Sequence, residues 1–304
     1  MPSSGARAVP VNKEKATLLG LSAVIQWSTV VGFTRAVSEG LGPIGGGAVI
    51  YTLGTILLIL LLGFPRIKTF SRQYLGWGSF LFCVYTICQC CSIGWAHTSR
   101  QVIEISMINY LWPSFTILFA IIFNIQKATL VLIPGLCLTL VGVALVIGGD
   151  DGFNVNAMLA NIKDNPLSYS LALLGALLWP AYCVVTSKTA NGQNGVGFFF
   201  LVTAITLWIM FLAGDWEPLR FDLKVASYAL LLAMVSGFGY AAWNVGILYG
   251  NITLLATASY FIPVFSSVFS SILLGVPLSF SFWQGAILVC SGSMLCWVST
   301  RKRI

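Results

Sequence analysis

Apolar segments long enough to cross a lipid bilayer recur along the whole chain, and this pattern limits the possible folds more than any other feature of the sequence. A bilayer core about 30 Å thick is crossed by a helix of about 20 apolar residues. With 58% apolar and 8% charged residues, the chain cannot cover itself with a water-facing surface, since soluble domains carry about 25% charged residues. Ten spans are predicted, at residues 16–37, 44–63, 76–97, 102–123, 129–149, 167–188, 196–214, 226–248, 252–273 and 283–299.

These spans are predicted to be helices. Lipid offers no hydrogen bonds, so the backbone groups of a spanning segment must be paired within a helix or a closed barrel. The strands of a barrel would alternate polar and apolar residues, whereas the apolar runs of this chain are continuous. The expected fold class is therefore an all-α integral membrane protein with ten transmembrane helices.

Lys and Arg residues are distributed unevenly between the two predicted sides of the membrane. An even number of spans puts both termini on one side, and that side holds most of the sixteen Lys and Arg residues. Because basic loops are retained in the cytoplasm, both termini are predicted to be cytoplasmic. These loop residues account for the net charge of +7, so no nucleic-acid partner is inferred.

The eight cysteines all lie within predicted spans. The cluster CQCC at residues 88–91 lacks the paired spacing of a zinc site, and His97 is the one histidine of the chain. Free cysteine packs as a small apolar residue. We therefore predict no metal site, no disulfide framework and no cofactor.

Two halves of the chain share a motif. Residues 109–120 read NYLWPSFTILFA and residues 259–270 read SYFIPVFSSVFS. At the same offset, Gly135 and Gly142 align with Gly285 and Gly292, and with a different offset Trp27 aligns with Trp179. These matches indicate two repeats of five spans, residues 1–152 and 153–304, within one transmembrane domain.

The odd number of spans in each repeat has a consequence for topology. A second copy that follows five crossings enters the membrane from the opposite face, so the two repeats are predicted to be inverted. Inverted repeats are typical of secondary transporters, which bind substrate near the membrane midplane where the repeats meet. Chance similarity between apolar helices is the alternative explanation.

Several strings of the sequence resemble the drug/metabolite transporter superfamily, whose members have two five-helix units of the EamA-like kind. The resemblance covers nearly the whole chain and is closer still to the bacterial aromatic amino acid exporters of that superfamily. It is carried by QWST in the first span, VSEGLGP at 37–43, NYLWPS at 109–114, NPLSY at 165–169, YAAWNVGIL at 240–248, SYFIPV at 259–264 and PLSFSFWQGA at 277–286.

The resemblance implies ten helices, cytoplasmic termini, an inverted repeat around a central cavity, and a multi-pass protein of the bacterial inner membrane. It also implies export of aromatic amino acids and similar small amphipathic metabolites by alternating access. The substrate class follows from the resemblance alone. We keep a monomer as the working expectation, with the lipid bilayer and the small-molecule substrate as partners.

Tryptophan and tyrosine residues occur deep within the predicted spans as well as at their ends. Membrane proteins normally place these residues at the interfaces, and a buried indole N–H or phenol O–H is costly in hydrocarbon without a partner. Lining of a substrate cavity and ordinary helix packing both explain the deep residues. As a group, we assign them to the cavity wall: Trp27, Tyr85, Tyr110, Trp112, Trp179, Tyr182 and Tyr240.

The eighth span places four polar or aromatic residues on one helical face. Ser236, Tyr240, Trp243 and Asn244 follow a helical repeat. The glycines of this segment, Gly237, Gly239 and Gly246, favour close approach of a neighbouring helix. We therefore predict that this face lies toward the cavity.

Pro113 and Pro263 occupy equivalent positions in the two repeats and are predicted to kink the fourth and ninth spans. A proline leaves the carbonyl four residues earlier without a donor, here that of Asn109 and of Ser259. We predict that these two residues contact substrate, together with Tyr260, which aligns with Tyr110. A gating kink and a packing kink without substrate contact are the alternatives.

Glu104 is a carboxylate within a predicted span. Such an acid is a candidate proton site or a partner for a substrate amine. An i,i+4 pair with Arg100 near the end of the span is an equally simple explanation.

Other functional classes fit the sequence less well. The chain lacks the GxSxG, HExxH and GxxxxGK[ST] motifs of hydrolases, metalloproteases and P-loop ATPases, so we predict a transporter rather than an enzyme. A drug or metabolite exporter, or a uniporter, of another substrate class remains the alternative.

Overall fold

The structure, a computed structural model, describes residues 12–65, 67–124, 127, 129–149, 154–191, 193–250 and 252–300. These residues form α-helices joined by short connections, with a 3₁₀ turn at Ile67–Thr69 and a π-helical turn at Tyr74–Gly78. The helices are α1 (Lys13–Ser28), α2 (Val30–Leu41), α3 (Pro43–Leu62), α4 (Ser79–Gly94), α5 (Ser99–Asn109), α6 (Trp112–Ile122), α7 (Leu132–Ile147), α8 (Val155–Asp164), α9 (Pro166–Thr189), α10 (Val196–Ala213), α11 (Leu223–Tyr249), α12 (Ile252–Ser259), α13 (Ile262–Leu274) and α14 (Phe280–Ser299).

Within the described residues, eight helical segments are long and apolar enough to cross a membrane. The helices at the fifth and ninth predicted spans are shorter apolar helices, Leu132–Ile147 and Ile262–Leu274. Helix α8, which lies between the fifth and sixth predicted spans, was not predicted from the sequence. Its N-terminus is fixed by Asn154, whose side chain accepts hydrogen bonds from the backbone N–H groups of Asn156 and Ala157.

Helix ends follow from local sequence signals. The side chains of Thr98, Asn165 and Ser279 accept hydrogen bonds from the free N–H groups that open α5, α9 and α14. Between α2 and α3, Gly42 has φ +67°, a conformation that an L side chain rarely adopts. Pro43 then begins α3, where its missing N–H costs no helical hydrogen bond.

The fourth and ninth predicted spans each contain a break just before their proline. The backbone N–H of Leu111 bonds the carbonyl of Ile108 at 3.1 Å, and that of Phe261 bonds Ala258 at 3.0 Å. Both are three-residue bonds that tighten the end of the preceding helix. The segments α5–α6 and α12–α13 therefore break at equivalent positions of the two sequence repeats.

Among the helix pairs that connect the first half of the chain with the second, four have the most extensive contacts. The pairs are α1 with α11, α3 with α10, α4 with α9, and α7 with α14. The largest cluster of buried apolar residues lies around α5 and α7 and includes side chains of α9, α13 and α14. The core thus lies between the two halves.

Glycines allow the backbones of α7 and α14 to approach closely at two places. A Cβ atom added at Gly135 would lie 2.9 Å from the carbonyl oxygen of Gly292, and one at Gly142 would lie 2.6 Å from that of Gly285. In the sequence, Gly135 aligns with Gly285 and Gly142 with Gly292. In the structure, Gly135 contacts Gly292, the counterpart of Gly142, and Gly142 contacts Gly285, the counterpart of Gly135. Any side chain at these positions would force the two backbones apart.

We predict that Gly142→Ala destabilises the fold. The new methyl group meets a backbone carbonyl rather than a flexible side chain, and overpacking of this kind costs about 1–3 kcal/mol. A fall in the thermal unfolding midpoint of the detergent-purified protein would report this cost.

Gly197→Ala in α10 is the matched control, because a Cβ atom there has no neighbour within 4 Å. This variant should unfold at the wild-type temperature or slightly above it, since alanine favours helix. Equal midpoints for both variants would refute the close glycine contact.

Candidate functional site

The two tryptophans that align between the sequence repeats each contact a tyrosine from the other half of the chain. The ring centroids of Trp27 on α1 and Tyr240 on α11 lie 5.3 Å apart. Those of Trp179 on α9 and Tyr85 on α4 lie 4.9 Å apart. Edge and tilted ring contacts at such distances contribute about 0.5–1.5 kcal/mol each, so these rings connect the halves at two corresponding places.

Trp179 is the centre of a larger group of rings. Its centroid lies 5.1 Å from Tyr182, 6.3 Å from Trp112 and 6.4 Å from Phe82. Phe82 in turn lies 5.7 Å from Phe200. From the rings that are connected in this way, we call the following nine the ring cluster: Trp27, Phe82, Tyr85, Trp112, Trp179, Tyr182, Phe200, Tyr240 and Trp243.

Several rings of the cluster are incompletely buried although they lie in the middle of long helices. Trp27, Tyr85, Trp112, Trp179 and Tyr240 are half-buried, whereas Tyr182 is 6% exposed. Rings that contact across the two halves and still keep accessible surface provide an apolar wall on which a flat molecule can pack.

Asn109 places an unpartnered polar group beside this wall. The side chain is 5% exposed, and its Nδ2 atom has no hydrogen-bond partner among the described residues. A Cβ atom at Gly175 would lie 3.1 Å from this nitrogen and 3.8 Å from Cδ2 of Tyr85. A buried amide donor without an acceptor costs about 1–3 kcal/mol, and a ligand acceptor would remove that cost.

The predicted face of the eighth span lies against Trp27 of α1. Trp243 on α11 lies 5.2 Å from Trp27, and Ser236 is half-buried on the same helix. Gly239 and Gly246 of α11 also lie against α1, where a Cβ atom at Gly239 would be 2.7 Å from Nε1 of Trp27, whereas Gly237 lies against α3. The side chain of Asn244, the fourth predicted residue, is outside the part of the structure that can be described.

The residues around the two breaks have different surroundings. Tyr110, Pro113 and Pro263 are buried, and Tyr110 packs in the main apolar cluster together with Trp27 and Trp112. Ser259 is half-buried at the end of α12.

Tyr260 is buried and packs on Trp297 near the end of α14, with ring centroids 6.4 Å apart. No ring contact joins it to the ring cluster among the described residues. The aligned pair Tyr110 and Tyr260 therefore does not share one environment.

Glu104 lies in a buried polar group at one end of α5. Its Oε2 atom accepts a hydrogen bond of 2.5 Å from the Tyr169 hydroxyl on α9. Its Oε1 atom lies 3.7 Å from Nε of Arg100. The predicted i,i+4 pair with Arg100 is thus present, but a cross-helix bond to Tyr169 accompanies it.

A second polar network lies next to this group and fixes the start of α9. Gln101 donates to Asp164 at 3.1 Å and accepts from the side chain of Asn165 at 3.0 Å. Nδ1 of His97 lies 2.9 Å from the same Asp164 oxygen. The hydrogen bonds from His97 and Gln101 hold the pKa of Asp164 below its usual range.

Three residues of this region were not predicted from the sequence. Phe82 and Phe200 carry no polar atom, so nothing distinguishes them in the sequence from the other apolar residues of their spans. Gly175 precedes Trp179 by one helical turn, and that spacing was the available signal for a small residue on the same face.

The sequence profile of the EamA-like transporter family matches residues 14–148 and 166–298. The chain belongs to the EamA-like transporter family. Together the two matched segments cover most of both halves and include every residue of the ring cluster.

Individual relatives carry a more specific name. The chain is 52% identical over 292 residues to the aromatic amino acid exporter YddG of Escherichia coli (strain K12), covering 96% of this chain and 100% of that protein. The exporter of the same name from Salmonella typhimurium (strain 14028s / SGSC 2262) is also 52% identical, over 293 residues, with the same coverage. The one from Ancylobacter novellus is 24% identical over 276 residues, covering 85% of this chain and 88% of that protein.

A solved crystal structure has the same fold. Its TM-score is 0.64 with 20% sequence identity, and the superposition covers 96% of this chain and 100% of that chain. At this level of identity, the match concerns the fold alone.

Proposed function

We propose that this protein is a secondary transporter that exports aromatic amino acids and similar small amphipathic metabolites. The observation that carries the proposal is the 52% identity, over 96% of the chain, to a protein named as an aromatic amino acid exporter. An aromatic wall of the kind that the ring cluster forms suits such substrates, because offset and edge-on ring contacts favour a flat aromatic group.

The ring cluster is the proposed site for the substrate's aromatic group. Every contact of Trp27, Tyr85 and Trp112 within the cluster is with a ring from the second half of the chain. A substrate ring bound there would contact residues of both halves at the same time. Movement of one half relative to the other would then change access to the site, as alternating access requires.

Polar side chains at the edge of the ring cluster are proposed to hold the charged end of the amino acid. Asn109 supplies a buried amide, and Gly175 leaves space beside it. Ser236 and Ser259 are the further half-buried candidates. We keep Asn244, Tyr110 and Tyr260 as predicted site residues, with Tyr260 acting from outside the ring cluster.

The proposed topology is ten crossings in two inverted repeats, residues 1–152 and 153–304, around a central substrate cavity. The crossed glycine contacts support it, since exchanging the repeats converts the contact of Gly135 with Gly292 into that of Gly285 with Gly142. The equivalent breaks before Pro113 and Pro263 support it as well, and we propose that both serve as gating points. With both termini in the cytoplasm, α5 and α13 lie in the outer half of the bacterial inner membrane.

In this topology the outer half of the transporter is closed to the outside, and we call this the sealed arrangement. All residues of α5 from Gln101 to Asn109 are buried, and α5 packs against α2, α4, α7, α9 and α13. The equivalent helix of the second repeat, α12, packs against α1 and α11. The burial of α5 supports an arrangement in which the route to the outside is closed.

We predict that the purified protein moves labelled phenylalanine and tryptophan across proteoliposome membranes and that Trp112→Ala weakens this transport. Removal of one ring contact worth about 0.5–1.5 kcal/mol should raise KM about two- to tenfold. Initial rates of uptake over a range of substrate concentrations measure the change.

Trp77→Ala is the control, because Trp77 lies at a span end and its side chain is 61% exposed. Its KM should equal that of the wild type. Absence of transport of either amino acid by the wild-type protein would refute the substrate class, and unchanged transport in Trp112→Ala would remove Trp112 from the site.

We predict that Gly175→Ala also impairs transport, since the methyl group enters the space between Asn109 and Tyr85. Displacing the Asn109 amide from a substrate hydrogen bond worth about 0.5–1.5 kcal/mol should raise KM about two- to tenfold. Gly197→Ala, with open space around the new methyl group, should leave transport unchanged. Equal KM values for the two variants would contradict the assignment.

A further inference from the structure

We propose that Glu104 is a proton-binding site that controls the outer end of the transport pathway, with the neutral carboxyl group favouring the sealed arrangement. The proposal rests on the proposed function for the direction of the membrane and for the transported substrate. It adds a second ligand, the proton, and a residue that binds it.

Glu104 connects the two halves of the chain at the sealed end. It belongs to α5 in the first half, and its hydrogen-bond donor Tyr169 belongs to α9 in the second. The Glu104 side chain is 7% exposed, whereas the Arg100 side chain is 45% exposed. The carboxyl group is therefore enclosed by protein, with a cation between it and the surface.

A small cavity lies against the carboxyl group. Its volume is about 20 Å³, enough for one water molecule. Both halves contribute to its wall, which consists of Arg100, Ile103, Glu104, Val146 and Gly149 from the first half and Val276, Pro277, Leu278, Ser279 and Phe282 from the second. Because half-exposed Arg100 forms part of the wall, the cavity provides a short path for a proton between outer water and Glu104.

The balance of energies favours a neutral carboxyl group while this end is sealed. Burial of a carboxylate is unfavourable unless charged partners and hydrogen bonds compensate for the lost water. The ion pair with Arg100 compensates incompletely, since the two atoms are 3.7 Å apart and the Arg100 side chain is half-exposed to water, which screens its charge. The Tyr169 hydroxyl can donate to a neutral carboxyl oxygen as well as to an ionised one.

The other ionisable groups near Glu104 do not reverse this balance. On α8, Asp164 is bonded to His97 and Gln101 and adds negative charge on the Tyr169 side. On α2, Arg35 is bonded to Glu39 and to the carbonyl of Ala96. The cavity residues from α7, from residues 276–279 and from α14 carry no ionisable side chain within the described lining.

The consequence for transport is that protons from the outside control when the outer end closes. When the outer end opens, Glu104 meets water and is stable as a carboxylate. A proton from the outside then binds the carboxylate oxygen, and the neutral group can be buried again at low cost. External acid therefore drives the return to the sealed arrangement after substrate has been released.

Hydrogen–deuterium exchange of the full-length protein in liposomes tests the site without any substrate. Peptides covering α5 and residues 276–282 are compared at about pH 5.5 and about pH 8, after correction for the intrinsic pH dependence of exchange. In the wild type, exchange in both peptides should be severalfold slower at the acidic pH. Glu104→Gln, which imitates the neutral acid, should exchange slowly at both values.

Two further variants separate proton binding from a merely structural role. Glu39→Gln removes a carboxylate that also pairs with an arginine four residues earlier but is 54% exposed, and it should keep the wild-type pH dependence. Tyr169→Phe removes the hydrogen bond to the buried carboxylate and should enlarge the pH dependence. A peptide from α10 reports whether any variant has lost its fold.

Exchange at α5 that does not depend on pH in the wild type, or that still depends on pH in Glu104→Gln, would overturn the proposal. Transport measurements keep the two claims separate. A change of pH outside the vesicles should alter the rate of net phenylalanine export by the wild type and should leave export by Glu104→Gln unchanged. Failure of all phenylalanine transport, with the exchange results intact, would count against the substrate and leave the proton site standing.

Discussion

A lipid interior offers no partner to a polar group, and the main features of this protein follow from how its polar groups are paired within the chain. The backbone is helical nearly throughout the described spans. Where Pro113 and Pro263 interrupt it, the chain closes the preceding helix with a three-residue hydrogen bond. Glu104 finds Tyr169 and Arg100. The Asn109 Nδ2 atom is one of several buried side-chain atoms of the described residues that have no hydrogen-bond partner, and it is informative because it lies close to Tyr85 of the ring cluster.

Much of the fold could be predicted because the period and length of apolar segments are one-dimensional properties. Eight predicted spans correspond to helices of sufficient length and apolarity, and the breaks lie directly before the two prolines. Helix α8 was missed because its mixed composition gives no span signal, and only the cap at Asn154 marks its start. The fifth predicted span and the main helix of the ninth are shorter than the apolar runs suggested, since part of each run forms a turn or a second helix.

The candidate site was only partly predictable, because the sequence of a helix does not show which residues of other helices it will contact. The alignment of Trp27 with Trp179 identified two rings that do occupy corresponding places. The alignment of Tyr110 with Tyr260 did not lead to a shared environment, since Tyr260 packs on Trp297. Phe82, Phe200 and Gly175 belong to the site because of their contacts with residues of other helices. The sequence allowed two roles for Glu104, a proton or amine site and an i,i+4 pair with Arg100. The contact with Tyr169 could not be predicted, because it joins two helices that are far apart in the sequence.

Aromatic substrates are proposed to bind between the halves, against the ring cluster. A photoreactive phenylalanine analogue, bound to the reconstituted protein and activated by light, tests this binding site when the modified peptides are mapped by mass spectrometry. Binding at the ring cluster should give adducts on the segments around Tyr85, Trp112, Trp179 and Tyr240, and excess phenylalanine should suppress them. Adducts confined to the exposed rings Trp77 and Trp283, or unaffected by phenylalanine, would contradict it.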